Sequence, residues 1–469
     1  VLQRSIITYI FCFGGKAKTS CYNKKGGTMK TNVIRLFIWL VMFSVVTVVY
    51  AAERQSCHLC GMYIDQYQHT AAHLIDKNGK ETATCGVADM IRFVQDSGGP
   101  DAFTSIQVVD WNSNQKIDAA SATYVIGSDL IPDMIPNIIA FSTKEDAEQF
   151  INEHGGATMN FTQALLSVSP MGMTMPTRIN QAVTPPRGAL GVGAGYMYMD
   201  MDDLMIGSDS VSFSEYMSRT GRTMGPKEMT SKGPMFMLGY GITDKLATSV
   251  KIAYQEKEMV RQMFMMGNTT YPTTKSSGMT DTDINLRYNV WRDIYYSKFF
   301  SLMGGITLPT GDFDASPMRI TMPGLQLGIG TVGYYGGLLG SARYGDFWFH
   351  SEASYFIRPE NNDDYDFGDI AKIGLAAHYT PNPNFMIGLE TDYTDTEKNA
   401  YRGVDVDNSG GKKAIIAIIS SWRFLTALGG NFNLKATAGV PYYEDVNAWG
   451  LGTNYFANVM ISFNRRIKY

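Results

Sequence analysis

Apolar and polar positions follow two different rhythms along this chain. From Gly188 to Tyr469 they alternate one by one, in aromatic-rich segments of about ten or more residues. Alternation at period two marks a strand whose two faces meet different surroundings. Twelve segments carry it: 188–201, 232–243, 246–260, 279–291, 295–310, 323–344, 347–358, 369–380, 384–395, 412–425, 432–443 and 453–469. Their connections alternate as well. Long stretches at 202–231, 261–278, 311–322, 359–368 and 396–411 take turns with short ones such as Thr243-Asp244-Lys245 and Tyr344-Gly345-Asp346. A transmembrane strand needs roughly 9–11 residues, and bacterial barrels use an even strand number with long outer loops and short inner turns. The pattern predicts an all-β transmembrane barrel of about 12 antiparallel strands over 188–469, with both barrel ends on the periplasmic side.

Parity sorts the faces of these strands. In the first, Leu190, Val192, Ala194, Tyr196 and Tyr198 share a face suited to lipid, and Met197, Met199 and Met201 share the other with three glycines. In the second, Phe236, Leu238, Tyr240 and Ile242 face out, while Met235 and Met237 face in. The same parity places Met259, Met303, Met386 and Met460 in the lumen. It also places Lys251, Arg287, His350, Glu352, Lys372, His378, Glu390, Asp392 and Lys435 there. A basic residue facing lipid costs about 2–4 kcal/mol at the midplane, so the charges have a reason to turn inward. Methionine would cost little against lipid, so its inward placement needs a different reason. Two readings stand: a thioether track for a soft metal ion, with Met197, Met199, Met235 and Met237 as its candidate members, or flexible filling of a narrow lumen. The outer loops add Met205, Met217, Met224, Met229, Met263, Met265, Met266, Met279, Met318 and Met322, which are either an outer collecting surface or chance in a Met-rich chain.

Residues 52–166 read differently. Strand-like and helix-like segments mix, and two ββαβ units can be traced. The first runs HTAAHLID, KETATC, VADMIRFVQ, FTSIQVVD; the second runs SATYVIGS, NIIAFS, KEDAEQFINEH, ATMNF. The second helix begins after Ser142-Thr143 with acids in its first turn, as a helix N-terminus prefers. The expected fold class is thus an α+β periplasmic domain of two ββαβ units followed by the barrel. Between them, 167–187 holds four prolines and no apolar period, which reads as a linker. Its Met171, Met173 and Met175 are either further metal ligands or chance members of a polar connector.

Upstream, Lys30 and Arg35 precede an apolar run from Leu36 to Val49 and a small-residue site at Ala51. A membrane-spanning helix needs about 20 residues, so this shorter run is read as a cleaved signal peptide (29–51) and not an anchor. Residues 1–28 are read as an over-called start, since Met29 is the first methionine. Export and a barrel imply the outer membrane, with the N-terminal domain in the periplasm and outer-membrane lipid around the strands. The net charge of −4 over 469 residues gives no electrostatic case for nucleic acid.

Candidate chemistry sits at CHLCGM, residues 57–62. Cys57 and Cys60 bracket a turn, and Met62 follows. Thiolate and thioether are soft ligands that suit Cu(I). A CxxC thiol redox site, a structural zinc site and an inert disulfide compete with that reading. Redox sites favour a helix N-terminus, whereas this pair precedes a strand. Zinc needs further ligands, for which Cys85 and scattered histidines are on offer. The spacing alone leaves redox and metal chemistry both open.

The region resembles NosL, the nitrous oxide reductase accessory family of periplasmic copper-binding proteins. CHLCGM (57–62), TCGVADM (84–90), IDAASATYVIGSDL (117–130), Met134, IAFSTKEDA (139–147) and HGGATMNF (154–161) carry the likeness, in order, over nearly the whole domain. The resemblance implies a Cu(I) carrier with Cys57, Cys60 and Met62 nearest the ion, and Met134 and Cys85 as second candidates. Met90 is read as a helix core position. The barrel half resembles the outer-membrane family of the MetA pathway of phenol degradation, on YGITDKLATSVKIAY (240–254), GMTDTDINLRYNVW (278–291) and GGITLPTGDF (304–313). That implies a substrate-carrying barrel of unnamed substrate. No Ser-His-Asp arrangement or phosphate loop stands out, so a non-enzymatic role is expected. The expectation is a copper-handling outer-membrane protein with a metallochaperone-like domain and a periplasmic copper acceptor as partner. The alternative is a porin for hydrophobic small molecules with an accessory copper-binding domain.

Overall fold

The computed structural model describes residues 54–168, 175–313, 322–428 and 430–467. The expected signal peptide, the over-called start, Met171, Met173, Met318 and Tyr469 lie outside the described residues.

The N-terminal domain is built from two units of one design. The first has β1 (Ala72–Asp76), β2 (Glu81–Thr84), α1 (Val87–Asp96) and β3 (Phe103–Val109), with β4 (Lys116–Asp118) added at the edge. Its sheet order is β2-β1-β3-β4, all antiparallel. The second has β5 (Thr123–Ile126), β6 (Ile138–Phe141), α2 (Lys144–His154) and β7 (Ala157–Met159), in the order β6-β5-β7. The two ββαβ units are therefore present as the patterning predicts. Burial of Leu74, Ile91, Val94, Val108, Tyr124 and Ile138 fuses them around one core, and Met90 is part of it, fully buried on α1. Thr143 caps α2 by accepting from the Asp146 N–H at 3.1 Å. A short helix α3 (Phe161–Ser167) ends the domain, opened by a reciprocal Asn160–Gln163 cap.

Twelve long strands follow: β8 (Ala189–Met201), β9 (Met224–Gly241), β10 (Leu246–Met265), β11 (Thr282–Arg292), β12 (Lys298–Leu308), β13 (Gly333–Tyr344), β14 (Phe347–Ile357), β15 (Ile370–Asn382), β16 (Phe385–Thr396), β17 (Gly411–Ala427), β18 (Gly430–Asp445) and β19 (Tyr455–Arg466). Each pairs antiparallel with the next, and β19 returns to pair with β8, which closes the barrel. Closure removes the unpaired edges that a membrane-spanning sheet cannot tolerate. Pro323–Leu325, expected to open β13, forms a turn of 3-10 helix instead, because Pro323 has no N–H to give a ladder. β9 and β10 run further outward than their alternation suggests, so Met224, Met229, Met263 and Met265 belong to strands and not to loops.

The outward face carries Val192, Tyr196, Phe236, Leu238, Leu302, Leu338, Ile373, Leu389, Ile418 and Val459, all exposed and apolar or aromatic, as the parity expected. The lumenal charges are instead mostly buried: Arg287, His350, Glu352, His378, Glu390, Asp392 and Lys435 are each less than a tenth exposed. Residues 175–187 explain that. Expected as a linker, this segment lies inside the barrel and hydrogen-bonds its way across the wall. Glu390 accepts from the Thr177 and Arg178 N–H groups, and Arg178 makes a two-pronged ion pair with Asp392 at 2.7 and 2.8 Å. Asn180 N donates to Glu352, Ala182 N to Ser341 Oγ, Ser301 Oγ to the Ala182 carbonyl, and Arg287 to the Val183 carbonyl. The segment is a plug. Its lack of apolar period reflects polar walls, not solvent.

The N-terminal domain touches the barrel at the rim of short turns. Asp96, at the end of α1, accepts from Arg423 Nη1 at 2.8 Å and Asn431 Nδ2 at 3.0 Å. Arg343 donates to the Leu166 carbonyl at 2.7 Å. Tyr296, in the β11–β12 turn, packs on the domain core, and the neighbouring Ile294 closes over Gly127.

Candidate metal centre and lumenal thioethers

CHLCGM folds into a tight loop before β1. Gly61 N donates to the Cys57 carbonyl at 3.0 Å, and Cys57 N donates to the Met62 carbonyl at 2.7 Å. The turn needs φ of +79° at Gly61, a region open to glycine at little cost. Thr84-Cys85-Gly86 delivers the third thiol from the end of β2. Gly86 is required for a steric reason: a Cβ there would stand 1.5 Å from Asp133 Oδ2. Asp89 follows in the first turn of α1, where a carboxylate is favoured by the helix N-terminus.

These pieces converge. Cys57, Cys60, Cys85 and Asp89 place one donor atom each within 4.8 Å of one another. Cys60 Sγ lies 3.4 Å from Cys85 Sγ, Cys57 Sγ lies 3.3 Å from Asp89 Oδ2, and Cys85 Sγ lies 3.7 Å from the same oxygen. All three thiols are free. Arg92, one turn on, donates from Nη1 to Asp89 Oδ1 at 2.9 Å and to Met134 Sδ at 3.4 Å. Met134 is thus one side chain removed from the thiols, and Met62 is half-buried against the same core as Cys60. The sequence reading had Cys85 only as a second candidate and missed Asp89. The i, i+4 spacing of Cys85 and Asp89 across a helix start is the signal that could have found it.

The three thiols shift one another in opposite directions. Hydrogen bonds from Cys60 and then Cys85 hold the Cys57 thiol far below the usual thiol range. The same bond to Cys57 pushes Cys60 up to about 12, and Cys85 is pushed up by its bonds to Cys57 and Cys60. Burial raises Asp89, against the pull of Arg92. Burial also lifts Asp133 to about 7, and its Oδ2 has no hydrogen-bond partner. Three soft sulfurs with one thiolate ready suit a soft cation, and a ligand carboxylate beside them is compatible with borderline ions as well.

The barrel methionines form a ladder. Cross-strand partners share a face. Met237 pairs with Gly193, Met235 and Met460 flank Gly195, Met197 and Met199 follow, and Met201 pairs with Met229, which pairs with Met259. Successive levels are two residues apart, so about 6.8 Å along the strand. Gln255 Nε2 reaches Met197 Sδ at 3.4 Å, and Asn458 Nδ2 reaches Met235 Sδ at 3.8 Å. Met201, Met259 and buried Met229 and Met322 gather at the outer end. Met205, Met229 and Met322 are therefore buried, unlike the exposed collectors expected of loop residues; Met265 and Met266 are exposed. Met303 and Met386 sit on the lumenal face elsewhere, both buried. The wall partners of the plug lie on β11–β16 and β18, whereas the ladder lies on β8, β9, β10 and β19.

Comparison with known proteins follows this division. The NosL family matches residues 48–166, and the family described as "Putative MetA-pathway of phenol degradation" matches 244–418. The copper-binding lipoprotein NosL of Stutzerimonas stutzeri is 28% identical over 125 residues, 24% of this chain and 65% of that protein, so the match spans just under two thirds of the curated relative. The crystal structure of the copper chaperone NosL from Shewanella denitrificans shares 31% identity over 24% of this chain and 92% of its own, with a TM-score of 0.22. That of an outer membrane channel from Pseudomonas putida F1 shares 15% identity over 62% of this chain and all of its own, with a TM-score of 0.46. The NosL family model accordingly covers the N-terminal domain, residues 48–166, and the chain joins that domain to a closed barrel of twelve antiparallel strands.

Proposed function

We propose that this protein binds Cu(I) and transfers it at the outer membrane, without acting as an enzyme. The observation that carries the reading is the convergence of Cys57, Cys60 and Cys85 with Asp89, in a domain docked on the short-turn rim of a barrel with a thioether ladder. Copper is the cargo. The named NosL relatives are copper proteins, and three sulfurs around a monovalent soft ion satisfy its preference without a fourth ligand. Zinc would ask for a closed tetrahedral set and would leave Met134 and Met62 without a role. The short turns face the periplasm in barrels of this type, so the domain lies there and meets a periplasmic copper acceptor. The ladder, on the wall opposite most of the plug's contacts, supplies successive weak thioether sites through which the ion passes.

Copper flux into liposomes carrying the full chain tests this. Joint replacement of Met197, Met199, Met235 and Met237 by Leu keeps size and apolarity, so the barrel stays folded while copper flux drops at least about tenfold, a barrier increase of roughly 1.4 kcal/mol. Unchanged flux would remove the ladder from the path. The match of 244–418 to a phenol-degradation family favours a second reading, a porin for hydrophobic solutes with an accessory copper domain. Uptake of a phenol by the same liposomes, indifferent to the Leu replacements and to copper, would establish it instead.

A further inference from the structure

Two imidazoles lie in the lower barrel with no part in the centre above. We propose that His350 and His378 form a second metal site, one Cu(I) held between His350 Nε2 and His378 Nδ1. Both side chains are buried, 2% and 0% exposed, on the facing strands β14 and β15. Their ring centroids are 5.1 Å apart. Each ring has one nitrogen engaged. His350 Nδ1 lies 2.8 Å from Ser341 Oγ, and His378 Nε2 lies 3.2 Å from Glu390 Oε1. The other nitrogen of each, His350 Nε2 and His378 Nδ1, has no partner among the described residues.

A carboxylate on Nε2 fixes the proton of His378 there and leaves Nδ1 as a lone pair. A metal-bound histidine is oriented by the same device. Ser341 Oγ accepts the Ala182 N–H at 2.9 Å and has lone-pair capacity for a proton on His350 Nδ1, which leaves Nε2 free in turn. Trp348 stacks on His350, its plane within 3°, and fixes that ring. Two buried ring nitrogens without partners cost free energy until something pairs with or binds both.

The charges nearby select the ion. Glu390 is bound by plug N–H groups and His378, Glu352 by Lys372 and Asn180, and Asp392 by Arg178. Arg287 and Lys435 face His350 and donate to the plug carbonyls of Val183 and Met175. These three carboxylates are thus already engaged and do not offset a divalent cation between the rings. Two neutral imidazoles suit a monovalent d10 ion that accepts two ligands. The site is thus a pair of nitrogen ligands at the level of the plug, near the short-turn end of β14 and β15. For the metal's identity it rests on the copper reading above.

The test uses the full chain in detergent with Cys57, Cys60 and Cys85 replaced by Ser, loaded without oxygen with one equivalent of Cu(I), and X-ray absorption at the copper edge. Imidazole scattering from a two-coordinate ion is expected, and it disappears in His350→Gln and in His378→Gln. A shell of sulfur alone, or imidazole scattering unchanged by both substitutions, overturns the site. Should those variants fail to fold, replacing His58, His69, His73 and His154 by Gln leaves only this pair of the six histidines. The signal must then persist, and its loss overturns the site, with water as the bridge. Liposome flux separates the two ideas. No flux with an intact imidazole signal sinks the transfer reading and leaves the site. Normal flux with no imidazole signal sinks the site and leaves the reading.

Discussion

Cys85 and Asp89 change what CHLCGM can do. A CxxC pair by itself is a dithiol, whereas a third thiol 3.4 Å from Cys60 makes a cup for a soft ion. Cys85→Ser is therefore expected to lower Cu(I) affinity by at least about tenfold, roughly 1.4 kcal/mol, measured by competition with a chromophoric chelator. A loss confined to Cys57 and Cys60 variants would return the centre to a simple pair. Asp133 gives a pH dependence. Its carboxyl titrates at about 7 in the fold, above its unfolded value of 3.8, because burial penalises the charged form. The stability it contributes is complete below the unfolded pKa and is lost as pH rises through the folded one. The domain should lose up to about 1.4 kcal/mol per pH unit between roughly pH 4 and 7, and Asp133→Asn should flatten that fall in a denaturant titration. A slope unaltered by the substitution would locate the titration elsewhere.

At the scale of elements, charge and hydrogen bonds hold the plug, beside a small apolar contact of Ala182 and Val183 with Phe299, Met303, Leu339 and Trp348. Arg178 and Asp392 form its firmest link, and the Asp392 side chain is 1% exposed. Arg178→Ala leaves that carboxylate buried and uncompensated, at a cost of about 3–5 kcal/mol. The plug should then leave its seat, and single-channel conductance in a planar bilayer should rise several-fold while the β-sheet signal of the barrel is kept. Equal conductance would mean that the remaining contacts suffice to hold it. The strands themselves need no such support, since each is paired on both sides and the last closes on the first.

At the scale of the whole molecule, the centre and the barrel are joined through α1. That helix carries Asp89 in its first turn and, at its last residue, Asp96, which meets Arg423 and Asn431. Arg423 is 5% exposed, so removing its partner strands a buried cation. Asp96→Ala should detach the domain from the rim. Amide exchange at the β17–β18 turn and along α3 should speed up, while Cu(I) affinity of the thiol cup stays constant and copper flux falls. Flux that survives detachment would show that docking serves only to tether.

What the sequence determined by itself was what repeats along it. Period-two alternation fixed twelve strands and which side chains face lipid, since one misplaced register would expose every charge at once. Motif order fixed the NosL domain and its ββαβ units. Strand ends were less legible, because pairing beyond the membrane needs no alternation and so carried β9 and β10 outward past the pattern. Tertiary structure alone decided the rest. Asp89 and Cys85 became neighbours of Cys57 only when β2 and α1 were folded against the CHLCGM loop. A stretch that reads as linker became a plug, because its polar groups found buried partners on strands 104 to 260 residues away. Contacts between positions so distant leave no period in the chain, and period is what a single sequence can show.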